Sequence, residues 1–127
     1  MLAMNRDETS RVAALKGLKL LDLPPQHNFD CISRLCAAMF DCRISLISLI
    51  DEDRQWFLAT EGLEVKETSR DVSFCNHTIA AGTTFTVEDA LSDSRFCANP
   101  LVVGEPHIRS YMGHPVRGPK GHLLGAL

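Results

Sequence analysis

Apolar residues crowd both faces of residues 43–60, R-I-S-L-I-S-L-I-D-E-D-R-Q-W-F-L-A-T. In 43–51, one face carries Ile44, Leu46 and Ile50 while the other carries Ile47 and Leu49. In 55–60, Trp56 and Leu58 oppose Phe57 and Ala59. A strand apolar on both faces is covered on both faces. The charged run Asp51, Glu52, Asp53, Arg54 between the two stretches marks a solvent-exposed reversal. The pattern predicts a hairpin at the centre of a sheet that carries a layer on each side.

Two helical patterns precede it. In 8–21, Val12, Leu15, Leu18 and Leu21 recur every third residue without an intervening proline. That stripe suits packing on its own domain or pairing across a homodimer. Pro24 and Pro25 close this segment, since proline lacks the N–H and restricts the residue before it. In 29–40, Phe29, Ile32, Leu35, Cys36, Met39 and Phe40 follow helical spacing, with Asn28 as N-cap and Asp30 in the first turn. This stripe is expected to lie on one face of the hairpin.

Beyond the hairpin, 61–71 is polar and of mixed charge, a loop long enough to act as a lid or binding loop. Residues 71–82, D-V-S-F-C-N-H-T-I-A-A-G, read as a short helix capped by Asp71 or Ser73 and closed by Gly82. The β-branched alternation of 83–88 predicts a strand, 89–100 a loop, and 108–116 and 122–127 two further strands. The last of these stops inside an apolar run, which leads us to expect a domain incomplete at its C-terminal side, short of a final strand and helix.

Composition narrows the class. At 127 residues and 45% hydrophobic, the chain suits one α+β domain over 1–127, with a helix at 8–21 and a core at 26–127. The net charge of -3 offers no footprint for nucleic acid. No apolar run is long enough to span a membrane and the N-terminus lacks a signal-peptide pattern, so the expected location is cytoplasmic. Five irregularly spaced cysteines, without C-x-x-C, argue against a zinc knuckle or a dithiol redox site.

Candidate chemistry is sparse. Cys75 and His77 are two residues apart, so on a helix they diverge and cannot share a metal. Cys75 would lie in the first turn, where the helix dipole lowers a thiol's pKa, against the bland alternative of a buried structural thiol. His107, His114 and His122 sit on separate elements with no diagnostic ligand spacing. Arg109 and Tyr111 share one face of their strand and could meet a carboxylate or phosphate; equally, Arg70 or Arg109 could pair with Asp71, Asp89 or Asp93. Trp56 on the sheet suits the core as well as a ligand platform. P-loop, nucleophile-elbow and zincin motifs are absent, so no catalytic residue is assigned.

Six stretches in one order resemble a GAF domain of the kind found at the N-terminus of bacterial signalling proteins. They are L-D-L-P-P at 21–25, S-L-I-D-E-D-R-Q-W-F at 48–57, S-R-D-V-S-F-C-N-H-T-I at 69–79, D-S-R-F at 93–96, N-P-L-V at 99–102 and H-I-R-S-Y at 107–111. The resemblance implies an antiparallel sheet sandwiched between helices. It also implies a regulatory role, in which a small-molecule pocket roofed by 69–79 and 89–100 controls an output module such as a diguanylate cyclase or histidine kinase. The residues expected to line that pocket are Trp56, Phe74, Cys75, His77, Asp89, Phe96, Arg109 and Tyr111. The ligand is unidentified, and no cofactor or metal is assigned. The alternatives are a redox enzyme resembling free methionine sulfoxide reductases, using Cys75 with a partner such as Cys97, and a ligand-free module dimerising through 8–21.

Overall fold

The computed structural model describes residues 2–127, with side chains from Asp7 onward. The order is α1 (Leu2–Gly17), α2 (His27–Met39), β1 (Ser45–Ile50), β2 (Arg54–Glu61), β3 (Glu67–Ser69), a 3₁₀ turn (Arg70–Val72), α3 (Phe74–Ala81), β4 (Phe85–Val87), α4 (Pro100–Val103), β5 (Tyr111–Gly113), β6 (Pro115–Arg117) and β7 (Leu123–Ala126). Five strands form one antiparallel sheet in the order β3-β2-β1-β7-β6, and β4 and β5 form a separate pair.

The hairpin is central, as its two apolar faces require. Ile47 and Leu49 of β1 join Trp56 and Leu58 of β2 and Leu124 of β7 in one cluster, against Leu15 of α1 and Phe29 of α2. Ile50, next in sequence to Leu49 and so on the other face, joins Ala126 beneath Cys75 and Ile79 of α3. The sheet is thus an α+β sandwich with α1 and α2 on one side and α3 on the other. A register shift at Ile47/Ser48 brings Ala59 into the first cluster along with Leu58.

Several boundaries differ from the sequence pattern. The first helix ends at Gly17, not Leu21, and Lys19 and Asp22 adopt positive φ (56° and 62°) as the chain reverses before the prolines. Leu15 is fully buried, so the middle of that stripe is used inside the domain. The second helix starts at His27 behind Gln26, whose side chain makes no capping bond, so Asn28 is not the cap. More consequentially, its apolar stripe does not face the hairpin. Phe29 packs inward and Ser33 is completely buried, yet Ile32, Leu35, Met39 and Phe40 are 43%, 58%, 70% and 62% exposed. A small serine at the contact turns the bulky residues to the flank.

The polar stretch after the hairpin is not a free loop. Residues 67–69 pair with Arg54, Gln55 and Trp56 as the edge strand β3. The strand expected at 108–116 splits, because β5 pairs with β4 while β6 pairs with β7. His114 stands at the crossing, exchanging backbone hydrogen bonds with Leu127. Pro115 then enters on the outer strand of the large sheet, where its missing N–H is tolerated.

Candidate functional site

The site is organised by α3, whose limits follow from its ends. Ser73 Oγ accepts the Asn76 N–H (3.1 Å), and Gly82 closes the helix at φ 70°. The same hydroxyl donates to Gln55 Oε1 (2.8 Å), and Gln55 Nε2 donates to Thr68 Oγ1 (2.9 Å). The start of the helix is therefore fixed to β2 and β3. Cys75 and Ile79 point at the sheet, while Phe74 and His77, three apart, face the segment 85–111.

There the aromatic side chains converge. Phe74 stacks on Phe96 with centroids 4.2 Å apart and planes 10° from parallel. Tyr111 lies 5.3 Å from Phe74, and Phe85 is 6.2 Å from both Phe96 and Tyr111. His77 meets Phe96 edge-on at 4.8 Å and stacks beside Phe85 at 5.7 Å. Over the outer side, the Arg95 guanidinium sits 5.0 Å from the Phe85 ring centre and 5.3 Å from that of Phe96. Asp93 grips it through both oxygens, at 2.9 and 2.6 Å. Phe74 and Phe96 are buried, Phe85, His77 and Tyr111 are half-buried, and the Arg95 cation covers the edge of these rings, a combination that suits a flat or anionic group. The rings touch one another, and Arg95 is the exposed group over them.

The electrostatics separate two halves. Inside, Tyr111 Oη donates to Cys75 Sγ (3.2 Å) and shares a hydrogen bond with Thr78 Oγ1 (2.8 Å). Burial pushes the Cys75 thiol up, against hydrogen bonds from Ser48 and Tyr111, and burial likewise holds the Tyr111 phenol well above its usual range. Both are neutral. Outside, burial lowers His77 and the Arg95 charge lowers it further, with Asp93 opposing. Hydrogen bonds from Arg95 bring Asp93 down to about 2.

Of the eight residues expected to line the pocket, Phe74, His77, Phe96 and Tyr111 meet directly, and Cys75 joins them through the Tyr111 hydroxyl. The other three lie elsewhere. Trp56 belongs to the cluster on the α1–α2 face of the sheet, beside a cleft of about 380 Å³ rimmed by Asp30, Glu64 and Lys66. Asp89 accepts from the Leu91 N–H and the Ser92 hydroxyl and so shapes its own loop. Arg109 precedes β5 and donates to the Val102 carbonyl (2.9 Å), holding α4 rather than an anion. Sequence reasoning missed Phe85, Arg95 and Thr78. Arg95 was visible within D-S-R-F, but nothing in the local pattern aims it at Phe85. Among the described residues, no three His, Cys, Asp or Glu side chains lie close enough to hold a metal, and no helix is long and apolar enough to cross a membrane.

Comparison with known proteins places this geometry. Residues 24–127 match the GAF domain family. The chain is 42% identical over 121 residues to a cyclic di-GMP phosphodiesterase of Pseudomonas aeruginosa, covering 95% of this chain but only 21% of that protein. Among solved structures it resembles the GAF domain of a phosphoenolpyruvate-protein phosphotransferase from Coxiella burnetii (TM-score 0.63, 13% identity, 94% of this chain and 76% of that one). It also resembles the type II free methionine-R-sulfoxide reductase of Thermoplasma acidophilum (TM-score 0.61, 14% identity, 78% of this chain and 68% of that one). At such identities the structural matches speak for the fold alone.

Proposed function

The chain belongs to the GAF domain family, and from that footing we propose that it is the sensory part of a signalling protein, regulating an adjoining module that acts on cyclic di-GMP. The signal is a small planar molecule received at the aromatic cluster under α3. The observation that supports this reading is the convergence of Phe74, Phe85, Phe96, Tyr111 and His77 beneath the exposed Arg95. Stacking on such rings, with a guanidinium to pair with a carboxylate or phosphate, suits a flat ligand with one anionic group. The module's identity follows the Pseudomonas relative, whose length this chain spans only in part.

The redox alternative gains nothing from the site. A reactive cysteine needs thiolate character, whereas Cys75 is buried, held neutral by that burial and covered by a phenol. The sulfoxide reductases share the fold at an identity too low to carry their chemistry across.

Titration of the protein with a panel of nucleotides and aromatic carboxylates, followed by amide chemical shifts, tests the reading. A binder should perturb Phe74–Ala81 and Phe85–Val87 and lose about tenfold in affinity with Arg95→Ala, as expected for one desolvated charge-assisted contact. Shifts spread elsewhere, or binding indifferent to Arg95→Ala, would overturn it.

A further inference from the structure

A chain of charged hydrogen bonds runs around the turn end of the hairpin, from the α1 side of the sheet to the α3 side. It begins at Arg11, 7% exposed, whose Nη1 donates to the carbonyls of Ile50 (2.6 Å) and Leu123 (3.3 Å). Arg11 also grips Glu8 through Nε and Nη2, both at 2.9 Å. The same Glu8 carboxylate accepts from Arg70 Nη1. Arg70 in turn donates to the backbone carbonyls of Asp51 (3.3 Å) and Glu52 (3.2 Å). Its Nε donates to Asn76 Oδ1 on α3 at 2.9 Å.

We propose that Glu8 and Arg70 couple α3 to α1, so that a shift at the first turn of α3 is felt in the N-terminal helix across the sheet. The two helices lie on opposite sides of a packed sheet, so movement of one reaches the other through the core only against close packing. The polar route avoids the core. Arg70 is suited to it because one rigid guanidinium serves Glu8 at one corner and Asn76 at another. A tilt at the first turn of α3 therefore re-aims the group that holds α1. Arg11, bonded to β1 and β7, is the fixed post; Glu8 and Arg70 are positioning residues between it and α3. What would tilt α3 rests on the site proposed above, whereas the coupling does not.

Amide hydrogen exchange without any ligand tests the coupling. Asn76→Ala alters only α3, yet exchange in α1 should rise about tenfold, the equivalent of one charge-assisted hydrogen bond. By reciprocity, Glu8→Gln should loosen the first turn of α3. Arg70→Lys, which keeps the charge but cannot serve both partners, should produce both effects. The central amides of β1 and β2 provide the control. If protection changes stay within the mutated helix, or the central strands loosen equally, the coupling is wrong. If Glu8→Gln fails to fold, Asn76→Ala decides alone, since Asn76 lies at the far end of the chain of bonds. No ligand is used, so a failed ligand titration removes the site and leaves the coupling, while exchange confined to one helix does the reverse.

Discussion

Gly113 shows how narrowly the inner half of the site is built. A Cβ at this position would collide with the Tyr111 hydroxyl and ring and with Thr78 Oγ1. Only a glycine lets the phenol lie across β5 to reach Thr78 and Cys75. Gly113→Ala should therefore push Tyr111 out and strand the buried Thr78 hydroxyl, costing about 1–3 kcal/mol. Urea denaturation would measure it, and a loss under about 0.5 kcal/mol, the size of an ordinary surface change, would show that the contact yields freely. None of this could be read from the sequence. The divergence of Cys75 and His77 was legible, because helical spacing sets the angle between neighbours on one element. The meeting of Tyr111 with Cys75, 36 residues away, depends on how two elements pack. Periodicity assigns a residue to a face; it does not say what lies opposite. Phe74, His77, Phe96 and Tyr111, expected together from the resemblance to GAF domains, do meet, whereas Trp56 and Arg109 have neighbours of their own.

At the scale of elements, α1 and α2 show the difference between an apolar stripe and a buried one. Both satisfy helical spacing in the sequence, but Leu15 is fully buried and Leu35 is 58% exposed. Leu15→Ala should cost about 2–5 kcal/mol, the range for a leucine truncated in a packed core. Leu35→Glu should change stability by no more than about 0.5 kcal/mol in the isolated chain. Thermal or urea unfolding of the two variants makes the comparison, and equal losses would contradict the packing described. What misleads on α2 is Ser33, a polar residue at the most buried position of the helix, which pattern reading assigns to solvent. Elements whose ends carry their own chemistry fared better. Ser73 and Gly82 delimit α3 because a hydroxyl can cap and a glycine can take positive φ. The hairpin was equally plain, since strands apolar on both faces admit few alternatives.

For the molecule as a whole, what local patterns concealed is how the chain is tied across the sheet. It crosses from the small sheet to the large one at His114, and α1 is fastened to the hairpin turn by Glu8, Arg11 and Arg70, partners up to 62 residues apart. Charges in a helix ordinarily face water, so nothing in 8–21 singles Glu8 or Arg11 out for the tie to Arg70. Their signature is instead a dependence on pH. Hydrogen bonds from Arg11, aided by Arg70 against partial burial, lower the Glu8 pKa from 4.5 to about 2. Because the folded value lies below the unfolded one, the folded chain binds fewer protons between them, and stability falls as pH falls through that interval. The contribution of Glu8 is complete above its unfolded value of 4.5 and lost on descending towards 2. Asp93 titrates in the same window, so the wild type alone cannot isolate the effect. Glu8→Gln can, because its amide carries no proton to exchange. Urea midpoints for the two proteins should differ most above pH 4.5 and converge as pH falls towards about 2, since protonation then removes from the wild type the same charge that the variant lacks. A gap that stayed constant from neutrality to acid would mean that the carboxylate's charge does not hold α1 in place.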